Sequence, residues 1–114
     1  MKIPEHYQAV MPYLIVKTAR KFIDFTEAVF GARVTHTEKR EDGTTIKHAE
    51  VQIEGSTIMF ADATEQFSPQ TASLFVYVPD AAIAYQKALD HGAVSVMPLS
   101  DRDYGRTCGV KDTC

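Results

Sequence analysis

His48 and Glu50 stand two residues apart and form the pair best spaced for acid–base chemistry in this 114-residue chain. They lie in His48-Ala49-Glu50-Val51-Gln52-Ile53, where polar and apolar residues alternate. A period of two marks a strand with one buried face, so His48, Glu50 and Gln52 share one side and Ala49, Val51 and Ile53 the other. Side chains at i and i+2 are about 7 Å apart, which suits general acid–base work or the anchoring of a polar ligand. The same pattern also fits a solvated strand face without a chemical role. A second set is apolar and aromatic. Met11, Tyr13, Ile15, Met59, Phe75 and Tyr77 fall on a common side of their strands by the same alternation. They would make a cavity wall for a small organic molecule, with tyrosine hydroxyls as hydrogen-bonding handles, or else plain core. A third set is the polar stretch Asp101–Arg106, in which Arg102 could pair with an anionic group beside Tyr104. Exposed ion pairs would give the same stretch.

Other reactive types carry less. Asp62 follows an apolar strand and is a weaker candidate for a pocket rim, and His6, His36 and His91 are assigned no role. Cys108 and Cys114 are too close together to staple distant segments and lack the spacing and second pair of a metal site. They read as reduced thiols, reactive only where a neighbour lowers their pKa.

The elements that position these residues can be read from punctuation and period. Residues 1–9 are polar and read as a loose arm, and one domain follows over 10–114. Val10–Lys17 is an apolar strand with Pro12 near its start. Thr18 then caps a helix whose Phe22, Ile23, Phe25, Thr26, Val29 and Phe30 recur at helical spacing, and Gly31 closes it. Val34–Arg40 and Ile46–Ile53 flank an Asp42-Gly43 hairpin, and Glu54-Gly55 turns into Thr57–Ala61. After a polar loop at 64–71 come a strand at Ser73–Val78, a helix opened by Asp80 and closed by Gly92, and a strand at Val94–Leu99. A polar tail from Ser100 includes a possible strand at Arg106–Lys111.

Strand, cap, helix and Gly-Ala therefore occur twice, ending at Gly31-Ala32 and Gly92-Ala93. The first copy, about 10–63, is β-α-β-β-β, and the second, about 72–114, stops before its last strand. This predicts an α+β fold of two βαβββ modules in a curved mixed sheet, with both helices on the convex face and a cavity on the other. The short second module leaves an edge that a partner could pair.

Composition narrows the functions. An apolar fraction of 45% and a charged fraction of 24% are those of an ordinary globular domain. A net charge of −3 with interspersed signs provides no basic face for nucleic acid. No stretch approaches the roughly 20 apolar residues of a membrane span, and no signal-peptide core is present, so a cytoplasmic location is expected.

The ordered set of local motifs resembles the vicinal oxygen chelate superfamily of glyoxalases, bleomycin-resistance proteins and dioxygenases, particularly its PhnB-like branch. The matching segments are Pro12–Lys17, Phe30-Gly31-Ala32, His48–Val51, Ile58–Asp62, Ser68-Pro69, Met97-Pro98, Tyr104-Gly105-Arg106 and Gly109–Asp112. The resemblance implies paired modules, a homodimer, and a cavity that in the enzymes holds a divalent metal acting as a Lewis acid. The family's ligand positions fall at Met11, Met59 and Ser73, and its last lies on a strand absent after Cys114. Thioethers suit Mg²⁺, Mn²⁺, Fe²⁺ and Zn²⁺ poorly. The expectation is a metal-independent small-molecule-binding protein without a cofactor, with Met11, Tyr13, Met59, Ser73, Phe75, Tyr77, Arg102 and Tyr104 around the ligand. Two alternatives stay open: a metal-dependent lyase, isomerase or dioxygenase with a displaced site using His48 and Glu50, and a dimeric domain with no ligand of its own. Whether the chain is an enzyme is left open.

Overall fold

A computed structural model describes all 114 residues. The order is β1 (Tyr13–Val16), α1 (Ala19–Phe30), β2 (Arg33–Lys39), β3 (Ile46–Ile53), β4 (Ser56–Asp62), α2 (Ala81–Asp90), β5 (Val94–Arg102) and β6 (Gly105–Lys111). The first five elements form a βαβββ module whose sheet runs β1-β4-β3-β2. β4 is parallel to β1 and antiparallel to β3, to which the tight Glu54-Gly55 turn joins it.

Alternation decides which side each strand buries. Ala49, Val51 and Ile53 of β3 join Ile58 and Phe60 of β4 against Ala19, Phe22 and Ile23 of α1. Phe22 meets Phe60 edge-on with ring centroids 4.8 Å apart. A smaller cluster, Phe25, Val29, Ala88 and Ala93, packs α1 against α2.

The start of α1 departs from expectation. Thr18 occupies the cap position, but its side chain caps nothing. Asp62, expected at a pocket rim, supplies the cap instead. One carboxylate oxygen accepts the Ala19 N–H at 2.7 Å and the other accepts the Ile46 N–H at 2.7 Å, tying the helix start to the start of β3. Gly31 ends α1 at φ 65°, the left-handed conformation expected of it. α2 begins as read, with the Asp80 side chain accepting the Ile83 N–H at 3.0 Å.

The second half differs more. β5 and β6 form a separate two-stranded sheet: the possible strand at Arg106–Lys111 is present as β6, while Ser100–Arg102, expected as loop, continues β5. Ser73–Val78, expected as a strand, is not one: it lies in no sheet, and its backbone enters no backbone hydrogen bond. Its apolar residues supply strand character, but no neighbouring strand supplies a ladder. No helix is long and apolar enough to cross a membrane.

Candidate functional site

The sheet face turned away from α1 carries the polar residues that alternation assigns to it. Register places Tyr13, Met59, Glu50 and His36 in one row across all four strands. Glu50 is only 5% exposed, so its carboxylate must be satisfied locally. His48 lies beside it with Nε2 2.7 Å from Oε2. The Tyr7 hydroxyl lies 2.7 and 2.9 Å from the two carboxylate oxygens. Tyr13 Oη stands 3.2 Å from His48 Nδ1. With Nε2 donating to the carboxylate, Nδ1 is free to accept from Tyr13, so one chain runs from an exposed phenol through imidazole to a buried carboxylate.

The electrostatics follow from these contacts. Burial alone would raise the Glu50 pKa. The hydrogen bonds that His48 and Tyr7 make to it outweigh that and hold the carboxyl below its usual range. The same contact raises Tyr7: its proton is held by Glu50, with partial burial and the carboxylate charge acting in the same direction.

The N-terminal arm, expected to be loose, is pinned across this face. The His6 carbonyl accepts from the Thr57 hydroxyl, and the Gln8 side chain donates to the Thr57 carbonyl at 2.8 Å and accepts the Thr57 N–H at 3.3 Å. Gln8 thereby pairs β4 just beyond the point where β1 begins. Tyr7, Gln8 and the cross-strand residue His36 were not found from sequence. A polar arm has no period that could show which face it crosses.

The other anticipated residues are distributed rather than gathered. Tyr13 and Met59 belong to the His48–Glu50 region, Met11 lies ahead of β1 in no strand, and none of the three lines either main groove. Ser73 lines a groove of about 660 Å³ together with Ile15. Phe75, Tyr77 and Tyr104 line a groove of about 390 Å³ and make an aromatic cluster, with Phe75 5.2 Å from Tyr77 and 6.4 Å from Tyr104. Arg102 takes no part in either; its guanidinium bonds the Ser100 hydroxyl at 3.3 Å, and Arg106 faces Asp101 at 3.7 Å in the exposed hairpin. Burial pushes the Cys108 thiol up, and burial with the Asp112 charge pushes Cys114 up to about 11, so neither is primed as a nucleophile.

A divalent metal does not fit the donors present. Met11 and Met59 offer thioethers, and Ser73 sits exposed on the unpaired segment. His48 and Glu50 are spent on each other, and no group of three or more His, Cys, Asp or Glu is placed to hold an ion.

A sequence model of the Glyoxalase/Bleomycin resistance protein/Dioxygenase superfamily matches residues 5–114. Among solved structures the chain is similar to TioX from Micromonospora sp. ML1, at 24% identity and a TM-score of 0.66 over 93% of this chain and 88% of that one. A Bacillus cereus PhnB protein, described as a putative 3-demethylubiquinone-9 3-methyltransferase, gives 16% identity and a TM-score of 0.70 over 92% of each. A mutant of the fosfomycin resistance protein FosX from Listeria monocytogenes, solved with Mn(II) and 1S,2S-dihydroxypropylphosphonic acid, gives 19% and 0.66 over 93% of this chain and 82% of that one. At these identities the likeness establishes the fold alone. No curated protein sequence matches the chain.

Proposed function

Starting from the fact that the chain belongs to the glyoxalase, bleomycin-resistance protein and dioxygenase superfamily, we propose that it captures a small aromatic molecule bearing a hydroxyl, without a metal. The observation that carries this reading is the bound phenol already present: Tyr7 on the ionised, buried carboxylate of Glu50. A site that holds one phenol by a charge-assisted hydrogen bond has the chemistry to hold another. Tyr13 and Met59 offer aromatic and apolar surface next to that anchor. Metal independence is supported by the thioethers at Met11 and Met59 and the hydroxyl at Ser73, where the family's enzymes need imidazole or carboxylate.

A second reading is favoured by the Tyr13–His48–Glu50 chain: His48, oriented by Glu50, would take a proton from Tyr13 or from the captured molecule. Calorimetric titration with p-cresol, the Tyr7 side chain as a free molecule, tests the main reading. Saturable binding unchanged by chelator, and weakened about tenfold by Glu50→Gln, is expected, since a charged acceptor is worth about 1.5 kcal/mol more than a neutral one. Binding that needs added divalent ion, or that ignores Glu50→Gln, would overturn it.

A further inference from the structure

Of the five tyrosines, only Tyr13 has an imidazole at its hydroxyl. Tyr7 meets the Glu50 carboxylate and Tyr85 the Ser95 hydroxyl at 2.7 Å, while Tyr77 and Tyr104 stand 81% and 64% exposed with no base beside them. His48 Nδ1 is 3.2 Å from Tyr13 Oη, and its Nε2 is 2.7 Å from Glu50 Oε2. The ionised Glu50 can only accept, so the imidazole proton lies on Nε2 and the Nδ1 lone pair faces the phenol. The imidazole is also confined, with the ring centroids of Tyr13 and His36 5.6 and 5.8 Å from its own. A hydroxyl, a base within reach of it and a buried carboxylate orienting that base are the parts of an activated nucleophile. Tyr13 is 51% exposed, so an electrophile can reach it.

We propose that Tyr13 is a covalent acyl acceptor, taking the acyl group of a small aryl ester onto its phenol oxygen. This rests on the second reading above, in which His48 takes the Tyr13 proton. As Oη attacks the ester carbonyl, its proton passes to His48 Nδ1. The bond from Oη to the acyl carbon forms, and the bond from that carbon to the aryl oxygen breaks. The departing phenolate recovers the proton from His48, leaving acylated Tyr13 and a free phenol, and no further reactant is consumed. An aryl ester is the fitting class because one phenol then displaces another on near-equal terms. An alkyl ester or an amide would have to expel an anion far more basic than the phenolate that attacks. Met59, opposite Tyr13 in the sheet, adds apolar surface for the aryl ring. Glu50 acts here as a positioning residue.

The probe is p-nitrophenyl acetate, added to the full chain, with acetylation at each tyrosine followed by peptide mass mapping. Tyr13 should be acetylated about a hundredfold faster than Tyr77 and Tyr104, which are more exposed and serve as internal standards. His48→Gln should bring Tyr13 down to their rate while theirs is unchanged, which separates loss of the base from loss of the fold. Glu50→Gln should slow Tyr13 about tenfold or more, because the imidazole loses the partner that fixes its tautomer. The ¹⁵N shifts of His48 should show Nε2 protonated in the parent chain and that preference lost in Glu50→Gln, a signature that loosened packing alone would not give. The proposal fails if Tyr13 reacts no faster than Tyr77 and Tyr104, or if its advantage survives His48→Gln. When Tyr13 is not acetylated, Tyr13→Phe tells which claim has fallen. A shifted His48 Nδ1 signal means that the hydrogen bond exists and only acyl transfer is wrong, and an unmoved signal removes the second reading as well.

Discussion

Only Ala88 and Ala93, of the 19 buried residues, lie beyond residue 61. The first half packs ten residues into one cluster around Phe60, while the second contributes two small side chains to the helix–helix contact and exposes Leu74, Phe75, Tyr77, Val94, Val96 and Tyr104. The two halves share strand-helix-strand wording, so the difference is not one of local propensity. It comes from the central strand. β4 gives both faces of its neighbours something to pair with, and its inward side chains give α1 a surface to bury. Without a counterpart, the same extended wording at Ser73–Val78 carries no ladder. Secondary structure in a sheet is a property of neighbours, and a segment cannot hold it alone.

The contrast can be broken or sharpened by substitution. The largest effect is expected from Phe60→Ala, which removes a fully buried ring and its contact with Phe22, at a cost of about 3–5 kcal/mol in denaturant unfolding. Phe75→Ala, the same change on an exposed residue of the second half, should move stability by no more than about 0.5 kcal/mol. Equal costs at the two positions would mean that both halves are packed alike. Next comes Asp62→Ala, which frees the Ala19 and Ile46 N–H groups and should cost about 2 kcal/mol in the same assay. Asp80→Ala on α2 loses one exposed cap bond and should cost about 1 kcal/mol. The smallest effect is expected in pH dependence. Glu50 is held below its ordinary value of 4.5, so its contribution is full above that pH and is lost as pH falls through the lower folded value. Tyr7→Phe removes one of the donors that lower it, so acid unfolding should depend less steeply on pH than in the parent chain. An unchanged slope would mean that the Tyr7 contact does not act on Glu50.

Much of the first half was legible from sequence because its signals are periodic. The alternation through His48–Ile53 placed Glu50 and His48 on one face, and the helical spacing of Phe22, Ile23, Phe25, Thr26 and Val29 marked the buried side of α1. The Gly31 stop and the Asp80 start also held. What the sequence hid were contacts between segments far apart in the chain. Asp62 caps a helix 43 residues earlier, and Tyr7 reaches Glu50 across the same separation. Thr18 shows the converse, a good capping type whose task is done by another residue. The anticipated single ring of ligand contacts divided for the same reason, since Phe75, Tyr77 and Tyr104 follow the second half and Tyr13 and Met59 the first.

Everything functional rests on the buried Glu50 carboxylate holding a phenol, and Tyr7 is the phenol it now holds. Titration of p-cresol into chelator-treated Tyr7→Ala protein addresses this most directly. Removing the internal competitor should tighten p-cresol binding at least tenfold over the parent chain, and adding Glu50→Gln should erase that gain. Binding no tighter in Tyr7→Ala than in the parent, or a gain that survives Glu50→Gln, would contradict the account.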